Sequence, residues 1–224
     1  MSCKAITKEA VARIMDHAVL KPAMTDGDIR TAAAMCVARG IGCLCVRPTD
    51  AALAAALLKD SGTTVAVVVG FPHGASRSEV KALEARLAID DGADELDMVM
   101  NIGKFFSGDY DFVRSDIAAV VAEAKPRGVL VKVILETALL TLDQVARACG
   151  LAIEAGADFV KTSTGFNGEG ATPAAVEVML NSCEGRARVK PAGGIRDWDT
   201  AVMFVKMGAD RPGVGAADQI LDGA

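Results

Sequence analysis

The sequence has few aromatic residues and few potential metal ligands. Phe, Trp and Tyr make up 4% of the 224 residues, whereas hydrophobic residues as a whole make up 51%. An interior of Ala, Val, Ile, Leu and Met suits packed helix and strand layers better than a sheet sandwich. The six cysteines include no CxxC pair, and His17 and His73 lie far from any metal-ligand spacing with them. Neither a disulfide framework nor a metal site is therefore expected.

Charge and hydropathy exclude further classes. The net charge is −5 and no basic stripe is present, so no nucleic-acid partner is expected. No apolar run reaches the ~20 residues of a membrane span, and the N-terminus lacks the continuous apolar stretch of a signal peptide. We therefore expect a cytoplasmic protein with no membrane partner. Without a Pro/Ser-rich linker, residues 1–224 are predicted to form a single domain.

Short β-rich runs alternate with longer helical patterns along the chain. Thr172 with Pro173, and the acidic stretch at Asp197, are typical of helix starts, and "SRSE" at 76–79 predicts a capping box. A short helix is expected near the N-terminus. The predicted strands are 15–20, 42–47, 64–70, 95–100, 129–136, 159–162, 189–192 and 211–214. The predicted helices are 26–39, 49–60, 76–91, 110–125, 142–155, 173–181, 197–207 and 216–222.

Eight strand–helix units predict a closed barrel. A strand followed by a helix must cross over before the next parallel strand, and eight such units favour closure over an open sheet. We therefore predict an α/β protein with the (β/α)8, or TIM barrel, fold, in which functional groups gather at the carboxyl ends of the strands. The alternative is a doubly wound sheet, which often has a glycine-rich loop after its first strand. Here "KPAMTDGD" follows that strand and contains no such loop.

Two lysines at neighbouring strand ends indicate a reactive amine. An ordinary lysine has a pKa of ~10.4 and is a poor nucleophile at neutral pH. Burial and a second ammonium both disfavour the charged form. The pair Lys161 and Lys190 is therefore expected to leave one amine free to form a Schiff base with a carbonyl. Asp97 is expected to transfer protons with the help of a water, whereas the simpler alternative is that each lysine pairs with a carboxylate or extends to solvent.

Lys132 is a candidate substrate-binding residue with two expected environments. The period of two along a strand places it on the same face as Glu136. It either points into the barrel and neutralises Asp97 or pairs with Glu136.

The last two strands are followed by glycine-rich segments, "KPAGGIR" and "RPGVGA". Barrels commonly bind phosphate at this position through loop amides and a helix N-terminus. The alternative is that the glycines are required only by the backbone conformation of the turns. The candidate substrate-binding residues are Thr162, Gly165, Gly193, Gly194, Gly213 and Gly215. Asp16, Cys45 and His73 are further pocket candidates.

The order and spacing of these motifs resemble the deoxyribose-phosphate aldolases, a family of class I Schiff-base aldolases with a (β/α)8 fold. The resemblance runs from "DHAVLKP" through "CVRP", "GADELDMVMNIG", "VKVILET" and "GADFVKTSTGF" to "VKPAGGIR". It implies that Lys161 forms the Schiff base, Lys190 tunes its basicity and Asp97 belongs to the proton relay. It also implies reversible cleavage of 2-deoxy-D-ribose 5-phosphate to acetaldehyde and D-glyceraldehyde 3-phosphate, no cofactor, and a homo-oligomer, with a dimer favoured.

The sequence departs from the family pattern after the last strand. Family members carry one or two serines there, as in "RIGTSSG", where this chain reads "RPGVGAA". Gly215 and Ala216 therefore stand at positions of phosphate-binding hydroxyls, which predicts weaker phosphate binding and a shift towards unphosphorylated aldehydes. His73 replaces a common leucine and Ala18 a common threonine, and both changes are expected to alter the pocket.

Two other functions remain open at this point. A transaldolase-like or phosphosugar-isomerase barrel is one, although an isomerase needs a carboxylate or histidine base and no Schiff base. A non-catalytic sugar-phosphate-binding barrel is the other, although a binding protein has no need of a reactive amine.

Overall fold

The computed structural model describes residues 6–224, and eight parallel strands form a nearly closed barrel. Neighbouring strands pair in the order β7-β6-β5-β4-β3-β2-β1-β8. A parallel bridge between Ala192 and Gly213 joins the remaining edges. The predicted (β/α)8 fold is therefore confirmed. The strands are β1 Asp16–Val19, β2 Cys43–Val46, β3 Thr64–Val69, β4 Glu95–Val99, β5 Leu130–Ile134, β6 Phe159–Lys161, β7 Arg188–Lys190 and β8 Gly213–Val214.

The helices surround the barrel. They are α1 Lys8–Ile14, α2 Asp26–Arg39, α3 Ala51–Leu58, α4 Ser78–Asp90, α5 Ile102–Phe106, α6 Tyr110–Ala124, α7 Leu142–Glu154, α8 Pro173–Cys183, α9 Trp198–Met207 and α10 Ala217–Asp222. Every predicted helix is present within a few residues, and α5 was not predicted. The N-cap side chains of Thr172 and Asp197 accept backbone N–H groups, as expected. In the part of the chain that is described, no helix has both the length and the apolar character that a membrane crossing requires.

The predicted capping box at residues 76–79 is wrong. Helix α4 begins at Ser78, and its N-cap residue, Arg77, makes no side-chain cap hydrogen bond. The Ser78 hydroxyl instead donates to Asp116 on α6, at 2.8 Å. Because the helix begins at Ser78 and not after Ser76, Ser76 and Glu79 do not occupy the N-cap and N3 positions that a capping box requires.

The two faces of the barrel strands have different roles. Outward-facing residues such as Leu44, Val67, Met98 and Val133 pack with the helices in the main hydrophobic core. On the inward face, one side of the barrel is lined by a small group of buried residues: Cys43, Cys45, Ala66 and Val68. The opposite side carries charged residues, so the alternation along each strand separates an apolar core from a polar interior.

Buried thiols make the stability of the fold sensitive to alkaline pH. Cys36, Cys43, Cys45, Cys149 and Cys183 are all free and buried, while Cys3 lies outside the described residues. Burial, reinforced by the carboxylate of Asp16, raises the pKa of Cys36 from its ordinary value of 9.0 to about 12. Burial and Asp97 raise the pKa of Cys45 to about 11. The folded protein therefore holds these protons over a pH range in which the unfolded chain releases them.

We expect the free energy of unfolding to fall as pH rises above about 9. Because the folded pKa exceeds the unfolded one, the stabilisation is complete below the unfolded pKa and is lost between it and the folded pKa. Each such thiol contributes a slope of up to about 1.4 kcal/mol per pH unit. Urea unfolding between pH 7.5 and 10.5 measures this slope. The Cys36→Ala variant should show a shallower slope than the parent, and parallel curves for the two proteins would contradict the assignment.

Candidate active site

The strand pairing brings Lys161 and Lys190 together at the carboxyl end of the barrel. They are register partners on β6 and β7, so both side chains point to the same side of the sheet. Both are buried, and both lie at the floor of a cavity of about 560 Å³. The cavity opens at the strand ends, where the fold predicts functional groups.

Asp97 connects the lysines beneath this floor. Its Oδ2 accepts hydrogen bonds from Lys161 Nζ at 2.7 Å and from Lys190 Nζ at 2.6 Å. Its Oδ1 accepts one from Lys132 Nζ at 2.7 Å. Asp97 has no accessible surface and is not among the cavity-lining residues. The Asp97 carboxylate therefore holds the Lys161 amine from the barrel interior, and the opposite side of Lys161 borders the cavity.

Lys132 pairs with the carboxylates inside the barrel, and Glu136 is not one of its partners. Besides Asp97, its ammonium lies 3.2 Å from Asp16 Oδ2 and 2.5 Å from Glu95 Oε2. The strand β5 ends at Ile134 and Glu136 has a left-handed backbone, with φ 58°. The alternation that placed Lys132 and Glu136 on one face therefore stops before Glu136. Of the two expected environments of Lys132, the one inside the barrel is found.

Asp16 and Arg211 complete the charged interior. The Asp16 carboxylate pairs with Lys190 and accepts a hydrogen bond from Arg211 at 3.0 Å. Arg211 also lies 3.3 Å from Glu95 Oε1. The interior thus contains four basic side chains and three carboxylates among the residues described. The basic ones are Lys132, Lys161, Lys190 and Arg211, and the carboxylates are Asp16, Glu95 and Asp97.

The pairing keeps the supporting groups ionised. Burial alone raises the pKa of Asp97, but the ammonium groups of Lys132, Lys161 and Lys190 outweigh it and hold the pKa well below its ordinary value. Burial likewise lowers the pKa of Lys190, but Asp16 and Asp97 raise it above the ordinary range. Lys190 is therefore a fixed cation beside Lys161, and Asp97 is a fixed anion.

One group of side chains has the spacing of metal ligands, but its carboxylates are already paired with cations and its thiol keeps its proton. Ligand atoms of Asp16, Cys43 and Glu95 lie within 4.8 Å of one another. The two carboxylates already neutralise Lys132 and Arg211, as the distances above show. Burial, followed by the nearby carboxylates, raises the pKa of Cys43 well above its ordinary value, so the thiol keeps its proton. A metal ion would have to displace these cations and that proton.

Most of the predicted pocket residues border the cavity. They are Asp16, Cys45, Lys161, Gly165, Lys190, Gly193, Gly194, Gly213 and Gly215. Thr162 is buried beside it, where its hydroxyl donates to Ala192 O at 2.9 Å. His73 is exposed on the loop after β3 and does not line the cavity, whereas Ala18 does.

A close backbone contact explains glycine at position 193. Gly193 has φ +82°, and a Cβ there would lie 2.9 Å from the Cα of Gly170. Its carbonyl accepts a hydrogen bond from Ala171 N at 3.0 Å. Packing of two loops therefore requires this glycine, independently of any ligand.

Several cavity residues were not singled out from the sequence. Lys21 and Arg196 are exposed at the mouth, where Gln219 and Phe166 also lie. Ser163 is fully buried, and its hydroxyl has no hydrogen-bond partner within residues 6–224. The signal that would have found Ser163 is its position two residues after Lys161, on the same face of the strand continuation.

The chain matches the family described as DeoC/LacD family aldolase over residues 10–216. It is 46% identical to the deoxyribose-phosphate aldolase of Thermococcus gammatolerans over 216 residues, 96% of each chain. It is 45% identical to that of Thermococcus kodakarensis over 221 residues, 98% of this chain and 99% of the other. The tetrameric deoxyribose phosphate aldolase of Aeropyrum pernix has a TM-score of 0.90 at 32% identity, over 96% of this chain and 91% of that one. The protein belongs to the DeoC/LacD family of aldolases.

Proposed function

We propose that the enzyme reversibly cleaves 2-deoxy-D-ribose 5-phosphate to acetaldehyde and D-glyceraldehyde 3-phosphate through a Schiff base on Lys161. The observation that carries this proposal is the position of the Lys161 amine. It lies at the cavity floor and shares one oxygen of Asp97 with Lys190. The proposed substrate comes from the aligned relatives, which are named deoxyribose-phosphate aldolases.

The chemistry follows from an amine beside a carbonyl. Lys161 Nζ adds to the aldehyde carbon of the open-chain sugar, and loss of water leaves a protonated imine. Loss of the C3 hydroxyl proton breaks the C2–C3 bond, whose electron pair enters the imine to give an enamine as the three-carbon aldehyde leaves. The enamine takes up a proton at C2. Water then hydrolyses the imine, which releases acetaldehyde and restores the amine.

The ion pairs of the barrel interior favour Lys161 as the nucleophile. With all groups ionised, four cations face three carboxylates, which leaves one excess positive charge in a buried network. Of the four basic groups, only Lys161 has a single carboxylate partner. This supports Lys161 rather than Lys190 as the nucleophile.

Asp97 is proposed to act mainly through Lys161. It lies beneath the floor, and its depressed pKa makes it a weak base. It orients the amine for attack, and a proton leaving the substrate reaches it only by way of a lysine or a water in the cavity. This role is narrower than the proton transfer expected from the sequence.

Borohydride trapping with acetaldehyde tests the proposed Schiff base. Reduction should add one ethyl group to the protein, and peptide mapping should locate it on Lys161. An isomerase or a binding barrel forms no such adduct. A folded sample without an adduct would therefore rule out the proposed function.

Phosphate recognition is proposed to depend on Lys21 and Arg196 together with the loop amides, because the hydroxyls expected at 215 and 216 are missing. We predict that Gly215→Ser with Ala216→Ser raises the preference for the phosphate ester over deoxyribose. A Cβ at Gly215 meets no atom within 4 Å, so the change should fit. One hydrogen bond to a charged group contributes about 1.5–3 kcal/mol, so a rise in relative kcat/KM of about tenfold or more is expected. An unchanged ratio would show that these positions do not face the phosphate.

We also propose a homo-oligomer in the cytoplasm. The Aeropyrum pernix relative is tetrameric. On α4 of this chain, Val80, Leu83 and Leu87 form an exposed apolar stripe at helical spacing, which a partner subunit could cover. The five free thiols among the described residues suit a reducing compartment. Light scattering of the purified protein measures the number of subunits, and a monomer would contradict the oligomer.

A further inference from the structure

Glu136 is a buried carboxylate outside the charged interior of the barrel. It has no accessible surface, and no basic side chain lies within salt-bridge distance of it in the described part of the chain. Its backbone has φ 58° and ψ 60°, a left-handed conformation that non-glycine residues rarely adopt. Such strain persists only where surrounding contacts determine the conformation. The contacts of Glu136 therefore indicate what it does.

Among the described residues, the hydrogen bonds to this carboxylate all come from the loop that follows β6. Oε1 accepts from the backbone N–H of Thr164 at 3.1 Å. Oε2 accepts from the Thr164 hydroxyl at 2.5 Å and from Asn167 Nδ2 at 2.9 Å. Within the loop, the Phe166 N–H donates to Thr164 Oγ1 at 3.1 Å. The Glu136 carboxylate thus holds both the backbone of the loop at Thr164 and the side chain of Asn167.

The same loop forms a wall of the cavity and starts directly after Lys161. Ser163, Thr164, Gly165 and Phe166 all border the cavity. The ring of Phe166 packs edge-on against Phe71 on the loop after β3, with centroids 5.2 Å apart.

A side-chain hydrogen bond also joins the two loops. Asn167 Nδ2 donates to Pro72 O at 3.4 Å. Glu136 therefore anchors a segment that joins two loops at the cavity mouth.

We propose that Glu136 is a positioning residue that holds residues 163–167 in the conformation that binds substrate. The effects expected on KM and kcat rest on the Schiff-base function proposed for Lys161. A loop that is ordered before binding spares the substrate the entropic cost of ordering it. A buried carboxylate suits this role because charge-assisted hydrogen bonds are stronger than neutral ones.

The Glu136→Gln variant tests this role with little change in side-chain size. Gln presents an NH2 group where Glu136 accepts hydrogen bonds, so at least one loop donor loses its acceptor. We expect KM for the sugar phosphate to rise about tenfold, the factor equivalent to about 1.4 kcal/mol, while kcat changes less. Trapping of acetaldehyde on Lys161 at saturating concentration should persist. Amide hydrogen exchange at Thr164 and Phe166 should become faster.

A matched control separates positioning from general destabilisation. Thr141 caps α7 through Gln144 N, at 3.3 Å, and is exposed. Thr141→Ala should lower stability without changing KM or the exchange of the 163–167 amides. If the Glu136 variant does not fold, Asn167→Ala replaces it, since Asn167 lies on a partly exposed loop.

Two results would overturn the proposal. One is unchanged exchange at Thr164 and Phe166 in the Gln variant. The other is a change in KM no larger than that of the Thr141 control. Because the exchange measurement needs no substrate, it tests the role of Glu136 even if trapping shows that Lys161 forms no Schiff base.

Discussion

The Lys161→Ala variant is expected to lose at least about four orders of magnitude in kcat/KM for deoxyribose phosphate. Loss of a covalent nucleophile in another enzyme has cost about 10⁶ in rate, and Lys190, the other lysine described at the cavity floor, is not free to replace this one. Lys190 is held by Asp16 and Asp97 and remains protonated. A steady-state assay that couples glyceraldehyde 3-phosphate production to a dehydrogenase measures the loss.

Two controls make this result specific to the amine. Lys161→Arg keeps a positive charge beside Asp97 but has no amine that forms an imine, so it should be as inactive as the alanine variant. Cys45→Ala changes another residue of the cavity floor whose thiol stays protonated, and it should retain most of the activity. Circular dichroism should show all three variants folded. Activity above about one per cent in the arginine variant would contradict covalent catalysis by Lys161.

The sequence predicts the barrel and its lysine pair because both depend on simple periodicities. Alternating strand and helix patterns indicate the (β/α)8 fold, and parallel strands bring their carboxyl ends to one face. Lys161 and Lys190 end neighbouring strands, so their proximity follows from topology alone. The same reasoning places Asp97 near these lysines at the strand ends, but the structure buries its carboxylate beneath the cavity floor.

Features that depend on tertiary contacts were not predicted. The turn to a left-handed conformation at Glu136 ends the strand alternation, so the carboxylate contacts a loop rather than Lys132. Glu95 shows the same limitation. Its carboxylate contacts Thr64 on β3 and Arg211 after β7, and both residues lie far from it in the chain. Local spacing cannot identify such partners. Only the three-dimensional arrangement of neighbouring strands and loops determines them.

A buried ion pair between α4 and α6 was also missed, and it is expected to have the largest effect on stability. Lys81 and Asp116 both have no accessible surface, and Lys81 Nζ lies 2.6 Å from Asp116 Oδ2 and 2.9 Å from Val99 O. Within residues 6–224, removal of Asp116 leaves the buried ammonium with the Val99 carbonyl as its hydrogen-bond acceptor, and the nearby Glu84 carboxylate does not replace the lost direct ion pair. We therefore expect Asp116→Ala to lower the free energy of unfolding by about 3–5 kcal/mol. Urea denaturation at pH 7 measures the change.

The double variant Lys81→Met with Asp116→Leu distinguishes the buried charge from lost packing. Replacing both charges by apolar side chains of similar volume is often neutral, so most of the lost stability should return. Asp111→Ala, which breaks an exposed pair with Arg114 on the same helix, should have little effect.

Burial lowers the pKa of Lys81, and the carboxylate of Asp116 opposes this shift. Without that carboxylate the folded pKa should fall further below the unfolded value, so the single variant should regain stability as pH rises from 7 to 9. A loss below about 1 kcal/mol in Asp116→Ala would show that the pair contributes no more than a surface salt bridge.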